Sequence, residues 1–119
     1  MSIALIQKYI TAYNQFDIEQ MIQLIHPDIV FTNISNGATT AQAVGIDAFQ
    51  EMALQAAGMF ISRAQTIQST SQSAELILVN IHYQAVLANG LKAGEKLSLQ
   101  GKSEFEFKDN KIFRLTDIS

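Results

Sequence analysis

Apolar residues recur at spacings of three and four at the start of the chain: Ile3, Ile6, Tyr9, Ile10, Tyr13 and Phe16. That period places them on one face of a helix. Asp17 reads as the N-cap of a second helix, with Gln20 at the capping-box spacing and Ile18, Met21, Ile22 and Ile25 as its buried stripe. Pro27 stops this helix, because proline lacks the N–H that would continue it and restricts the residue before it. His26, just ahead, then sits at a helix end, where a histidine suits the helix dipole. Residues 29–34 read as a short strand, and Asn36-Gly37 with the small polar residues up to Thr40 as a loop. A third helix spans residues 46–57. Asp47 and Gln50 repeat the cap spacing, Ile46, Phe49, Met52, Ala53, Ala56 and Phe60 face inward, and Gly58 ends it.

From Phe60 onward the period is two. Residues 60–69, 75–88, 96–108 and 111–118 read as strands, with Asn89-Gly90 and Asp109-Asn110 as turns. Strands joined this tightly are antiparallel, since a parallel return needs a long crossover. A sheet with one apolar face must be covered, and the helices are the available cover. The expected fold is α+β: a curved antiparallel sheet wrapped around N-terminal helices, forming a cone with an internal pocket. Residues 1–119 are expected to form one domain.

Alternation sorts the strand residues by face. Inward sets are Ile29, Phe31 and Asn33; Ile61, Arg63 and Ile67; Ile77, Val79, Ile81, Tyr83 and Ala85; Leu97, Leu99, Gly101, Ser103, Phe105 and Phe107; and Phe113, Leu115 and Asp117. A β-bulge flips any such assignment. His82 falls on the outer face. The polar residues placed indoors are Asn33, Arg63, Ser103 and Asp117, joined by the hydroxyls of Tyr9, Tyr13 and Tyr83. An apolar cavity with a few convergent polar groups is the usual form of a small-ligand site. Buried unpaired charges are costly, so Arg63 and Asp117 either pair with each other or meet a ligand.

Composition narrows the chemistry. Nearly half the residues, 48%, are apolar, which suffices for a core. There is no cysteine, so disulfides, thiolate metal sites and cysteine nucleophiles are excluded. The formal charge is −3 and the basic residues are interleaved with acidic ones, against a nucleic-acid footprint. No apolar run approaches the ~20 residues a membrane span needs. The first residues lack the pattern of a secretory signal, so a cytoplasmic protein is expected. Two histidines on different elements give no metal-ligand spacing, and no metal site is expected.

The stretch from Tyr9-Ile10 through Asp17-Ile18-Glu19, then His26-Pro27-Asp28, Phe31, Asn33 and Gly45, resembles the nuclear transport factor 2-like superfamily, which includes the SnoaL-like polyketide cyclases and the steroid Δ-isomerases. The order of elements matches along nearly the whole chain. The resemblance implies a helix-lined conical pocket, homodimers through the outer sheet face, and no metal or organic cofactor. It also tests the chemistry. The isomerases' helix tyrosine matches Tyr9, their general-base aspartate falls on Asn33, and their protonated aspartate falls on or near Ser103. An amide cannot take a proton from carbon, so steroid isomerisation is rejected unless another base substitutes. Asp117 is the only inward carboxylate that qualifies. The superfamily's dehydratases and cyclases commonly use an Asp–His pair, and neither His26 nor His82 is well placed for it.

The expected site is therefore Asp117 as acid–base group, with Tyr9, Tyr13, Asn33, Arg63, Tyr83 and Ser103 lining a mostly apolar pocket for a small apolar molecule. Each has a bland reading beside it: core tyrosines, a structural Asp117 paired with Arg63, an Asn33 capping a loop. The functional expectation is an acid–base lyase, isomerase or cyclase of the SnoaL-like type. The alternative is a non-catalytic ligand-binding or dimerisation module with a vestigial site.

Overall fold

Helix α1 (Ile3–Asn14) ends in a Schellman turn. The Phe16 N–H donates to the Tyr13 carbonyl at 3.1 Å and the Asp17 N–H to the Ala12 carbonyl at 2.9 Å, with Phe16 in the left-handed region at φ 57°. That backbone costs an ordinary L-residue about 1–2 kcal/mol. Asp17 then caps α2 (Ile18–Gln23) as expected, its carboxylate accepting from the Gln20 N–H at 3.1 Å.

The computed structural model describes residues 3–73, 75–88 and 93–119. After α2 come β1 (Ile25–Ser35), β2 (Ala38–Val44), α3 (Ile46–Ala57), β3 (Phe60–Ser73), β4 (Leu76–Leu87), β5 (Lys96–Lys108) and β6 (Lys111–Ile118). The six strands form one sheet in the order β2-β1-β6-β5-β4-β3. The expected turn at Asn89-Gly90 lies outside the described residues. The one at Asp109-Asn110 is present, both residues having positive φ (54° and 60°), as a two-residue hairpin turn demands.

The α+β architecture holds, with four departures in detail. The sheet is mixed: β1 runs parallel to β6, while every other neighbouring pair is antiparallel. Residues 38–44, expected as a loop through Thr40, form strand β2, and Asn36-Gly37 (φ 53° and 79°) makes a tight hairpin onto β1. Strand β1 starts at Ile25, so His26 caps no helix. Helix α3 is preceded by Gly45 at φ 89° with no side-chain cap, and Asp47 lies in its first turn instead.

Bulges explain the errors of face. The register slips between Phe60 and Ser62, leaving Ile61 64% exposed. It slips again between Glu106 and Phe107, so that Phe107 pairs with Ile112 and the fully buried residue is Ile112 rather than Phe113. Leu99, expected inside, is a different case: it pairs with Tyr83 without any slip in register and is nonetheless 47% exposed.

The helices cover one face. α3 packs on β1 and β2, and α1 on β3, with α2 between the helices. Rows of side chains run across the covered face. Phe31, Leu115, Phe105 and Ile77 are adjacent in register and all buried. Phe49 of α3 meets Phe31 edge-on at 6.0 Å, and Tyr9 of α1 meets Phe105 edge-on at 6.2 Å. No helix among the described residues is long and apolar enough to cross a membrane.

The C-terminal end of α1 is tied to β3, an edge strand. The Asn14 carboxamide accepts from the Gln65 N–H at 2.7 Å and donates to the Gln65 carbonyl at 3.1 Å, standing in for a missing strand partner. Asn14→Ala leaves both Gln65 backbone groups unpaired, and urea unfolding should show a loss of about 1–3 kcal/mol. Asn14→Asp, which keeps the acceptor alone, should fall between wild type and Asn14→Ala.

Candidate functional site

Beside the apolar row lies a polar one. Asn33 on β1, Asp117 on β6 and Ser103 on β5 are neighbours in register, and Val79 on β4 continues the row. The parallel β1–β6 pairing brings Asn33 alongside Asp117. The Ser103 hydroxyl donates to Asp117 Oδ1 at 2.6 Å, and Ser103 is itself buried. Burial raises the Asp117 pKa to about 6, against a partial opposing pull from the Ser103 hydrogen bond. Asp117 is half-buried as a residue, its carboxyl is held back from water on the covered face, and it has one hydroxyl donor.

Tyr9, Tyr13 and Tyr83 gather near this carboxyl. Burial is the first cause of a raised pKa for each, and the charge on Asp117 adds to it while Arg63 opposes it. All three hydroxyls therefore lie within the fields of both charges and stay protonated at neutral pH. The Tyr13 hydroxyl donates to that of Tyr83 at 3.3 Å, linking α1 to the sheet. The Tyr83 ring also packs edge-on against Phe60 at 6.3 Å.

Arg63 is 5% exposed and makes no ion pair with Asp117, contrary to one sequence expectation. Its Nε donates at 2.9 Å to the Tyr13 carbonyl, which also accepts from the Phe16 N–H in the turn that ends α1. The guanidinium carbon lies 3.7 Å from the Tyr13 ring centre and 4.5 Å from that of Phe16. Its Nη2 is buried with no hydrogen-bond partner.

Six of the seven residues singled out in the sequence, Tyr9, Tyr13, Arg63, Tyr83, Ser103 and Asp117, thus converge on the covered face. Asn33 lies beside Asp117, but its amide is engaged in the hairpin, donating to the Thr40 hydroxyl at 2.7 Å and the Ser35 hydroxyl at 3.4 Å. Asn14 is not signalled by the sequence pattern, and Phe16 reads there only as an apolar helix residue. Phe16 ends an apolar helical stripe, and nothing in the pattern signals its left-handed backbone or the cation beneath it.

The histidines stand apart. The Asp28 N–H donates to His26 Nδ1 at 3.0 Å, leaving Nε2 to carry the proton 3.3 Å from Asp109. The ring is buried edge-on to Phe113 at 5.3 Å. His82 Nε2 lies 2.8 Å from the Ser98 hydroxyl. Among the described residues no group of three or more His, Cys, Asp or Glu side chains is arranged to hold a metal ion.

Clefts open at the surface among the described residues, and three are well formed. One of about 460 Å³ lies at the sheet end between Glu75, Glu106, Phe107, Asp109 and Phe113. A second, of about 530 Å³, is bordered by Gln68, Asn80, Gln100 and Lys102, and a third, of about 460 Å³, runs along α1 by Lys8 and Gln15. None has a member of the polar cluster in its wall.

Comparison with known proteins adds the following. The family described as the SnoaL-like domain matches residues 6–115. A cystatin-fold protein from Novosphingobium aromaticivorans shares the fold at TM-score 0.80 and 16% identity, over 98% of this chain and 96% of that one. A structure assigned as a SnoaL-like polyketide cyclase from Shewanella denitrificans matches at TM-score 0.75 and 16% identity, over 97% and 87% of the two chains. TerC, co-crystallised with polyporic acid, matches at TM-score 0.81 and 16% identity, over 98% and 89%. At such identities the likeness is one of fold. Comparison by sequence with curated proteins matches none.

The raised Asp117 pKa carries a stability consequence. Between the ordinary carboxylate value of 3.8 and about 6 the folded chain holds a proton that the unfolded chain has released. Folding stability contributed by this group is therefore lost as pH rises through that window, by at most about 3 kcal/mol. Asp117→Asn should raise stability at pH 7.5 by about 1–3 kcal/mol and leave it nearly unchanged at pH 4, read as the wild-type-to-variant difference in urea unfolding at each pH.

Proposed function

The chain belongs to the SnoaL-like domain family, and from that premise we propose that it takes a small, largely apolar molecule between α1 and the sheet and moves a proton on it, in a cyclase- or isomerase-type reaction. The observation that carries this reading is Asp117, a carboxyl on the covered face with its pKa raised to about 6. A general base works best when its pKa lies near the operating pH, and burial is the usual means of bringing a carboxylate there. The family match and the fold likeness to a structure assigned as a SnoaL-like polyketide cyclase support the reaction class.

The residues divide the work as follows. Ser103 holds Asp117 Oδ1, which leaves Oδ2 to meet a C–H next to a substrate carbonyl. As that C–H bond breaks, the proton passes to Asp117 and the electron pair moves to the carbonyl oxygen. Tyr9, protonated and buried near Asp117, is the donor for this enolate oxygen. The proton then returns from Asp117 to another carbon, or, where the enolate carbon has attacked a second carbonyl, to the alkoxide formed there. One carboxylate serves as base and then as acid, so the role does not call on His26 or His82. Asn33, in the place of the isomerases' base, takes no proton and fixes the hairpin beside Asp117. A homodimer through the outer sheet face is part of the same proposal, supported by the family's habit.

Exchange of the α-hydrogens of 2-tetralone in D2O, followed by NMR, tests the assignment. The wild-type chain should accelerate exchange, with kcat/KM rising through about pH 6 to a plateau as Asp117 loses its proton. Asp117→Asn should lower the rate by about 10²–10⁴, and Tyr9→Phe by about 10²–10³. An enzymatic exchange that survives Asp117→Asn sinks the catalytic assignment. Binding of 2-tetralone without exchange leaves the non-catalytic reading in its place.

A further inference from the structure

We infer that the molecule bound at this site carries a carboxylate, and that Arg63 receives it. The inference rests on the reading that a small molecule enters between α1 and the sheet, and it names that molecule's chemical class.

Arg63 is a buried cation without an anion. It is 5% exposed, and the sole ion pair among the described residues is His26 with Asp109. Asp117, the one carboxylate near enough to influence the same tyrosines, is held by Ser103. A guanidinium taken out of water ordinarily has its charge matched and its N–H groups paired. Here the matching is half complete. The Tyr13 carbonyl takes Nε, and the rings of Tyr13 and Phe16 pack against the guanidinium. Nη2 is buried and has no partner.

The ring contacts narrow the geometry. With the Tyr13 and Phe16 rings packed against the guanidinium, its in-plane edge is the side that offers hydrogen bonds to a new partner. That edge presents parallel N–H groups, which suit the two oxygens of a carboxylate better than any neutral acceptor. The Tyr13 and Tyr83 hydroxyls, 3.3 Å apart and within the Arg63 field, are the further donors at hand for the same anion. An apolar body on the Tyr9 and Phe105 side would then lie toward Asp117. The ligand expected is an aromatic or polyenoic acid, with its anion at Arg63 and its reacting carbon toward Asp117.

Matched pairs of probes test this with the intact chain. Titration calorimetry at pH 7.5 would compare 2-naphthoate, cinnamate and biphenyl-4-carboxylate, each with its methyl ester. At least one acid should bind tenfold or more tighter than its ester. Arg63→Gln should bring the acid-to-ester affinity ratio down to about one. Arg63 also ties α1 to β3, so the wild-type acid-to-ester ratio is read first and does not depend on a variant. Arg63→Lys, which keeps the charge and loses the fork, should retain only part of the preference. Esters binding as tightly as acids would overturn the acid assignment and leave the site reading standing. An acid preference that survives Arg63→Gln would overturn the role of Arg63. Binding of neither series would overturn both readings together.

Discussion

Much of the site follows from how the end of α1 is fastened to an edge strand. Arg63 on β3 binds the end of α1 through the Tyr13 oxygen, and Asn14 pairs with the Gln65 backbone as a strand would. A helix C-terminus is the negative end of its dipole, so a buried cation there is stabilised even without a carboxylate. The left-handed Phe16 turns the chain so that its ring closes over the guanidinium. This fixes α1 across the sheet, and with it the positions of Tyr9 and Tyr13 relative to Asp117.

The second constraint is the parallel contact between β1 and β6. It joins the N-terminal hairpin to the C-terminal meander and puts Asn33, Asp117 and Ser103 in a single row. The row next to it, Phe31, Leu115, Phe105 and Ile77, is apolar and buried. A carboxylate placed on the covered side of such a sheet loses water and receives one hydroxyl in exchange. The resulting penalty on its charged form is what suits it to the proposed role, since an exposed aspartate is ionised far below neutral pH and is a weak base. A fold that keeps such a group spends stability on it at neutral pH, a common property of functional positions.

Local pattern made much of this legible. The period of α1, the Asp17 cap and the alternation along β4, β5 and β6 depend on near neighbours alone, and they placed Tyr9, Tyr13, Tyr83, Ser103 and Asp117 on the covered side. Strand β2 was not legible because an edge strand of Ala, Thr and Gln buries only Ala43 and so leaves little hydrophobic alternation. The parallel pairing was not legible because strand order between distant segments has no local signature. Ile61 and Phe113 were misjudged because each sits at a bulge, where parity resets. The partners of the two charges were also beyond reach. Nothing in the pattern says that Ser103 engages Asp117 while a backbone carbonyl and two rings take Arg63.

The central claim is that Asp117 is a desolvated carboxyl that titrates near neutrality. Its carboxyl carbon can be followed directly by carbon-13 NMR between pH 3 and 9 in chain labelled at aspartate, with Asp117→Asn assigning the resonance. The account predicts a midpoint near 6 that moves higher in Ser103→Ala, because the Ser103 hydroxyl favours the charged form. A midpoint at the ordinary carboxylate value of about 4, unmoved by Ser103→Ala, would contradict it.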